Sequence, residues 1–183
     1  MFDELVYFNS REIATIGLLA SLWGVINSTV SPTFFQMFGI PILCDMIGFA
    51  VLTLSAWRIG RFGVASTVGV IATLVNFFFN PGGIHFIGFT VASVFFDMMY
   101  ATFGYKQCFK NNTLMILSTM TFSVLSAALA GAIIGAFFMA APTLIKWGGV
   151  LGWAGIHSLG GAIGGMFGIM LVSSIKARGL KKL

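Results

Sequence analysis

Apolar residues follow one another along the chain in six long runs, separated by short polar or turn-forming segments. A helix needs ~20 residues at ~1.5 Å per residue to cross ~30 Å of hydrocarbon, and each run has about that length or more. The separating segments are rich in Pro, Gly, Ser, Asn and basic residues, which end helices. The pattern therefore predicts six transmembrane helices at roughly 12–30, 39–57, 62–79, 84–103, 113–140 and 148–175.

The composition agrees with a membrane protein rather than a soluble one. Hydrophobic residues make up 58% of the 183 residues, charged residues make up 8%, and the mean hydropathy is +0.99. Soluble domains carry about a quarter charged residues, so this surface does not suit water. No internal repeat divides the chain. We expect a single all-α integral membrane domain over 1–183, a bundle of six transmembrane helices.

The basic residues are distributed unevenly between the two sides of this predicted bundle. With the first helix starting inside, nine of the ten fall in the cytoplasm: Arg11, Arg58, Arg61, Lys106, Lys110, Lys176, Arg178, Lys181 and Lys182. Lys146 alone lies outside. The positive-inside rule then predicts that both termini are cytoplasmic in a multi-pass protein of the plasma membrane. Because these residues form no single basic face, the net charge of +5 does not indicate a nucleic-acid partner.

The segment before the first helix has acidic residues, Asp3 and Glu4, where a signal peptide has basic ones. We expect no cleaved targeting sequence here. The segment 1–10 fits an interfacial lead-in or a partly disordered tail, and both interpretations stay open. Asn9 and Glu12 have the spacing of a capping pair for the helix that follows.

No catalytic or nucleotide-binding motif is present in the sequence. It contains no phosphate-binding P-loop, no dinucleotide-binding glycine motif, no zinc-protease motif and no nucleophile elbow. Asp45 and Asp97 lie at predicted depths too different for a shared catalytic proton. We therefore expect a protein that is not an enzyme and holds no metal or cofactor, and any ATP hydrolysis must come from partner subunits.

Stripes of small residues recur on three predicted helices at spacings of three and four. Small side chains let helices approach closely in lipid. One interpretation is packing inside the bundle, and the other is a docking surface for another membrane protein. The candidate docking residues on the first and last helices are Gly17, Ala20, Ser21, Gly24, Gly160, Gly164 and Gly168.

Polar side chains within the predicted helices gather in the outer half of the membrane. The group comprises Asn27, Asp45, Asn76, Asn80, His85, Trp153 and His157. An ionisable group in a bilayer costs ~2.5 kcal/mol or more unless it has a partner or a polar cavity. These residues therefore predict a ligand-binding pocket open to the outside, although each alone also fits a structural hydrogen bond. Asp97 lies deeper, where pairing with Arg58 or Arg61 is the expectation.

Three segments carry a resemblance to a known family. They are IGLLASLWGVIN in the first helix, SPTFFQMFGIPILCDMIGF leading into the second, and NFFFNPGGIHFIGF joining the third and fourth. Together with helix count, size and topology, they make the chain resemble the S components of energy-coupling factor (ECF) transporters. That family commonly has Ala-x-x-x-Ala on its first helix, where this chain has the pairs Gly17 with Ser21 and Ala20 with Gly24.

The resemblance implies the substrate-capture subunit of an ATP-driven importer of vitamins or related micronutrients. It implies docking onto a transmembrane coupling subunit, which works with two ATPase subunits. In this interpretation the segment from Ser28 to Gly39 is a loop that covers the pocket as a lid, with Phe34, Phe35 and Phe38 facing the ligand.

The substrate expected from these residues is an organic ring compound. Metal-transporting relatives use an amino-terminal histidine motif, and the first histidine here is His85. Trp153 suits stacking on a ring, and Asp45 suits a cationic or amino-bearing one, so thiamine or its pyrimidine precursor is the first hypothesis. The alternative is a six-helix channel or facilitator for a small solute or ion, with Asp45, His157 and Asp97 along a pore.

Overall fold

The structure is a computed structural model that describes residues 7–179. Residues 1–6 of the predicted lead-in, and Lys181 and Lys182 of the basic tail, lie outside the described residues. Every regular element in 7–179 is helical. The helices are α1 (Ser10–Phe38), α2 (Ile42–Ile59), α3 (Val64–Phe79), α4 (Ile87–Phe103), α5 (Tyr105–Cys108), α6 (Asn112–Phe137), α7 (Ala141–Lys146) and α8 (Gly149–Ala177), and a 3-10 turn (Ile84–Phe86) leads into α4.

Five of these elements are long and apolar enough to cross a membrane: α1, α2, α4 with its 3-10 turn, α6 and α8. The predicted all-α membrane protein is confirmed at this level. The helix α3 is apolar but has 16 residues, so length alone does not establish it as a sixth span. Large apolar side chains such as Leu18, Leu74 and Leu159 are 61–71% exposed on the outside of the bundle, as lipid contact requires.

The start of α1 forms as the sequence predicts. The Asn9 side chain accepts hydrogen bonds from the backbone N–H groups of Arg11 and Glu12, both at 3.0 Å. The Glu12 carboxylate accepts one from the Asn9 N–H at 2.8 Å, which completes a capping box. Two of the orphan amides at the helix start are thereby satisfied, so the predicted capping pair is confirmed.

The predicted end of α1 near residue 30 is wrong. The helix continues through Pro32 to Phe38 and ends at Gly39, whose φ of 70° gives a left-handed cap. A proline removes only one backbone hydrogen bond, whereas ending a helix inside lipid would expose several, so continuation is favoured. The segment from Ser28 to Phe38 is therefore the last part of α1, and the predicted lid loop is absent from it.

The glycine stripe of α8 packs against α2 within the chain. A Cβ atom at Gly160 would lie 2.6 Å from the Asp45 side chain, one at Gly164 would lie 2.7 Å from the Asp45 carbonyl oxygen, and one at Gly168 would lie 2.6 Å from Thr53. No partner helix fits where α2 already lies. Docking through Gly160, Gly164 and Gly168 is thus corrected to internal packing, because the same spacing serves both purposes.

The small residues of α1 divide between two faces. Gly24 faces α3, where an added Cβ would lie 2.7 Å from Val75, and Ala20 is fully buried. These two belong to the interior, contrary to the docking expectation. Gly17 has open space around its Cα and Ser21 is exposed, so these two lie on the outer surface.

Consecutive long helices run in opposite directions and define two ends of the bundle. At one end, called the basic end, lie seven of the eight described basic residues: Arg11, Arg58, Arg61, Lys106, Lys110, Lys176 and Arg178. Contacts between chain-distant residues hold this end together, such as the Lys176 ammonium on the Met115 sulfur at 3.6 Å. The other end carries Lys146 and the cavity described next, and is called the cavity end.

Candidate functional site

A cavity of about 240 Å³ lies where six helices meet at the cavity end. The ends of α1, α3 and α6 and the starts of α2, α4 and α8 surround it. Its lining residues are Asn27, Ser31, Pro32, Phe35, Gln36, Pro41, Cys44, Asn76, Asn80, His85, Phe86, Phe89, Ile134, Phe138, Met139, Trp153 and His157. The cavity is predominantly apolar with a few polar groups, the composition typical of small-molecule sites.

Most of the polar residues selected from the sequence meet at this cavity. Six of the seven line it: Asn27, Asn76, Asn80, His85, Trp153 and His157. Asp45 does not belong to the described lining. It lies behind His157, fully buried, and reaches the cavity only through that ring.

Asp45 and His157 form a buried pair between α2 and α8. The His157 Nδ1 atom lies 3.1 Å from one Asp45 carboxyl oxygen and 2.9 Å from the other. Their side chains are 0% and 1% exposed, so water does not compete for this contact. Gly160, one turn after the histidine, leaves the room in which the carboxyl group sits. The pair fixes the orientation of the imidazole, and Nε2 is left for another partner.

Aromatic rings form the walls of the cavity. Trp153 meets Phe35 edge-to-face at 6.3 Å and His157 at 5.5 Å between ring centroids. Phe89 lies 5.7 Å from His157 and 5.1 Å from Phe86. Each ring is thus held by another ring, and together they offer flat apolar surfaces to a bound molecule.

Three polar atoms on lining residues have no hydrogen-bond partner among the described residues. They are Asn76 Nδ2, Trp153 Nε1 and His157 Nε2. By contrast, Asn27 Oδ1 accepts a hydrogen bond from the Ser31 hydroxyl at 2.9 Å. Unpartnered buried atoms also occur away from the cavity, on Thr53 and Trp57 for example, so it is the gathering of three of them on the residues of one aromatic-walled cavity that favours a site for a polar ligand.

The loop between α3 and α4 brings its backbone close to the Asn76 amide. An added Cβ at Gly83 would lie 2.7 Å from Asn76 Nδ2. Any larger residue there would displace the amide or the loop. The glycine-rich turn that the sequence marks as a break therefore shapes one wall of the cavity.

Several lining residues were missed from the sequence. Phe86, which ends the 3-10 turn, and Phe89, in the first turn of α4, are three residues apart, and that spacing next to His85 was an available signal. Phe35, which was predicted to face the ligand from a lid loop, does line the cavity, but from the last part of α1. Of the other two lid phenylalanines, Phe34 and Phe38 contact each other at 4.6 Å and do not line the cavity.

Asp97 belongs to a separate cluster at the basic end. Its carboxylate accepts hydrogen bonds from the Ser66 N–H at 3.0 Å, from the Ser66 hydroxyl at 2.7 Å and from the Tyr105 hydroxyl. Burial, together with this carboxylate, raises the pKa of Tyr105, so the phenol keeps its proton and donates it. Arg61 pairs with Glu12, at 3.8 Å, and not with Asp97, while the alternative pairing of Asp97 with Arg58 stays a prediction.

No family model, no curated protein and no solved structure matches this chain.

Proposed function

We propose that the chain is a substrate-capture subunit of a membrane transporter, which binds a small organic ring compound in the cavity between its helices. The observation that carries this proposal is the combination of aromatic walls with unpartnered buried atoms on Asn76, Trp153 and His157. Such groups in a membrane protein mark the binding site of a polar molecule.

In this proposal α3 is a sixth span, and both termini are cytoplasmic. An even number of crossings is supported by the packing of α3 between α1 and α4 and by the concentration of basic residues at one end. The cavity end then faces outward, where a nutrient arrives.

The orientation has a direct test. In a cysteine-free background, Pro142→Cys at the cavity end should react with an impermeant maleimide on intact cells, and Lys110→Cys should react only after permeabilisation. Both positions are exposed, so access to the membrane face decides the result. The reverse pattern would contradict the orientation.

Energy for uptake comes from partners in this proposal. The sequence has no nucleotide-binding motif, and its resemblance to ECF S components implies a coupling subunit with two ATPases. On α1 the outward-facing Gly17 and Ser21 support a docking contact there, because a helix can approach closely over both.

The channel alternative receives no support from the core. Below the cavity, Phe49 of α2 and Phe96 of α4 contact each other at 5.8 Å between ring centroids, and each is at most 1% exposed. These rings separate the Asp45 pair from the Asp97 cluster, the two groups that a pore would have to connect.

The decisive experiment is native mass spectrometry of the protein purified in mild detergent from its native host. We expect a retained small molecule that denaturation releases, and no such mass for a Trp153→Ala variant that folds normally. If the wild-type protein retains nothing and binds no compound offered to it, the proposed capture function is wrong.

A further inference from the structure

We infer that the ligand is a planar compound without positive charge that offers three hydrogen-bond acceptors to this cavity, an inference that rests on the proposed function. Suitable acceptors are ring nitrogens, carbonyl oxygens or a carboxylate. The hydrogens on the three unpartnered atoms decide whether the ligand must offer them donors or acceptors.

Two of the three atoms can only donate. The indole Nε1 of Trp153 carries one hydrogen and has no lone pair available, and the amide Nδ2 of Asn76 carries two hydrogens. Both residues are at most 2% exposed, so bulk water does not satisfy them. A ligand that presented donors to these atoms would leave its own donors and those of the protein without acceptors. That is unfavourable where bulk water does not reach.

The third atom, His157 Nε2, also donates once the protons of the Asp45 pair are counted. A net charge on the pair is disfavoured inside a bilayer, and the pair is neutral when it holds two protons. One arrangement is a carboxylate with an imidazolium, which has hydrogen on both nitrogens. The other is a carboxylic acid that donates to Nδ1, which leaves the imidazole hydrogen on Nε2. In both arrangements Nε2 carries a hydrogen and can donate it.

No carboxylate among the described lining residues balances a positive charge on the ligand. The Asp45 carboxyl group does not line the cavity, and its charge is balanced by His157. Aromatic walls attract cations, but three residues of this cavity carry N–H groups without partners, and such groups favour acceptors over a positive charge. The hypothesis of a cationic ring balanced by Asp45 is therefore replaced by that of a neutral or anionic one. Of the two compounds first considered, the pyrimidine precursor fits and thiamine, with its cationic thiazolium, does not.

Matched probes test the charge requirement on the purified protein by calorimetry at neutral pH. The first pair is 1-methylnicotinamide, a permanent cation whose ring nitrogen cannot accept, and 6-methylnicotinamide, an uncharged compound of nearly equal size that keeps this acceptor. The second pair is thiamine and 4-amino-5-hydroxymethyl-2-methylpyrimidine. We expect the uncharged member to bind at least about tenfold more tightly in each pair that binds. Equal or tighter binding of the cation would overturn the inference.

Matched variants test the donor requirement. Trp153→Phe keeps an aromatic wall and removes the N–H, so affinity for the uncharged probe should fall about fivefold, as expected for one lost hydrogen bond. The control is Trp57→Phe, which removes another buried, unpartnered indole N–H that does not line the cavity. The control should leave affinity unchanged. Equal affinity in wild type and Trp153→Phe would show that the indole donates nothing to the ligand, and would overturn the inference.

If no probe binds, the molecule that the protein retains in native mass spectrometry tests this inference separately from the proposed function. A retained neutral or anionic compound with three acceptors supports the inference, whereas a retained cation, or a compound with fewer acceptors, overturns it and leaves the capture function standing. If nothing is retained and nothing binds, both are wrong.

Discussion

Two aspartate side chains are completely buried in the described part of this bundle, and their hydrogen bonds are satisfied in different ways. Asp97, at the basic end, accepts from the backbone and hydroxyl of Ser66 and from Tyr105. Asp45, at the cavity end, has one partner, His157, whose second nitrogen has none. The hydrogen bonds of the Asp97 cluster stay within that cluster, whereas the Asp45 pair ends at a histidine that lines the cavity.

The difference separates a structural polar group from one that serves a site. A buried carboxylate with several donors ties helices together and leaves nothing for a ligand, as Asp97 joins α3 to α4 and α5. In the Asp45–His157 pair the second histidine nitrogen has no partner among the described residues, and a ligand in the adjacent cavity can provide one. Asp45 and Asp97 are equally buried, so burial alone does not distinguish a structural role from a role in a site. The number of hydrogen-bond partners does.

The largest expected effect is a loss of stability on breaking the closed cluster. Asp97→Ala leaves the N–H and the hydroxyl of Ser66 without their acceptor, leaves the Tyr105 hydroxyl with only the backbone carbonyl of residue 97, at 3.3 Å, and should destabilise the fold by about 3 kcal/mol. Tyr105→Phe removes one donor and should cost about 1 kcal/mol. Thermal unfolding in detergent measures both. Ligand affinity of the folded fraction should not change, and a large loss of affinity in Tyr105→Phe would mean that the two ends are coupled.

Much of the fold follows from the sequence for a simple physical reason. Lipid demands long apolar helices, so the approximate places of the five long apolar helices are readable from runs of apolar residues. The turn at Asn80 to Gly83 and the Asn9–Glu12 cap were equally readable, because turn and cap residues act locally. The end of α1 was not, since Pro32 is a strong breaker in water and a weak one inside a membrane helix.

The candidate site was predictable to the extent that polar residues are costly in lipid. Depth along each helix was enough to select Asn76, Trp153 and His157, which do line one cavity. The rotation of each helix was not available from depth, and rotation decides that Asp45 lies behind His157. The same ambiguity affects small residues, because a spacing of four does not say whether the neighbour is α2 or another protein.

The next effect concerns the packing that holds Asp45 in place. Gly164→Ala puts a methyl group against the backbone of Asp45 and Met46, at 2.7–2.9 Å, and should destabilise the protein by about 2 kcal/mol. Gly155→Ala on the same helix has open space and should be neutral or stabilising by about 0.5 kcal/mol. Thermal unfolding compares them. Equal behaviour of the two variants would contradict the close contact of α8 with α2.

The smallest effect is expected from removing the charge of Asp45 while keeping its shape. In Asp45→Asn the amide N–H can donate to His157 Nδ1, so the imidazole keeps its hydrogen on Nε2 and its orientation toward the cavity. Affinity for an uncharged ligand should therefore change by less than about threefold. Asp45→Ala provides no partner for the ring and should weaken the same ligand by about tenfold. Calorimetry on both variants, with the retained molecule or the uncharged probe, separates orientation from charge. A tenfold loss of affinity already in Asp45→Asn would show that the carboxylate acts on the ligand by its charge. Asp45 and Asp97 would then differ in the effect of their charge rather than in their hydrogen-bond partners.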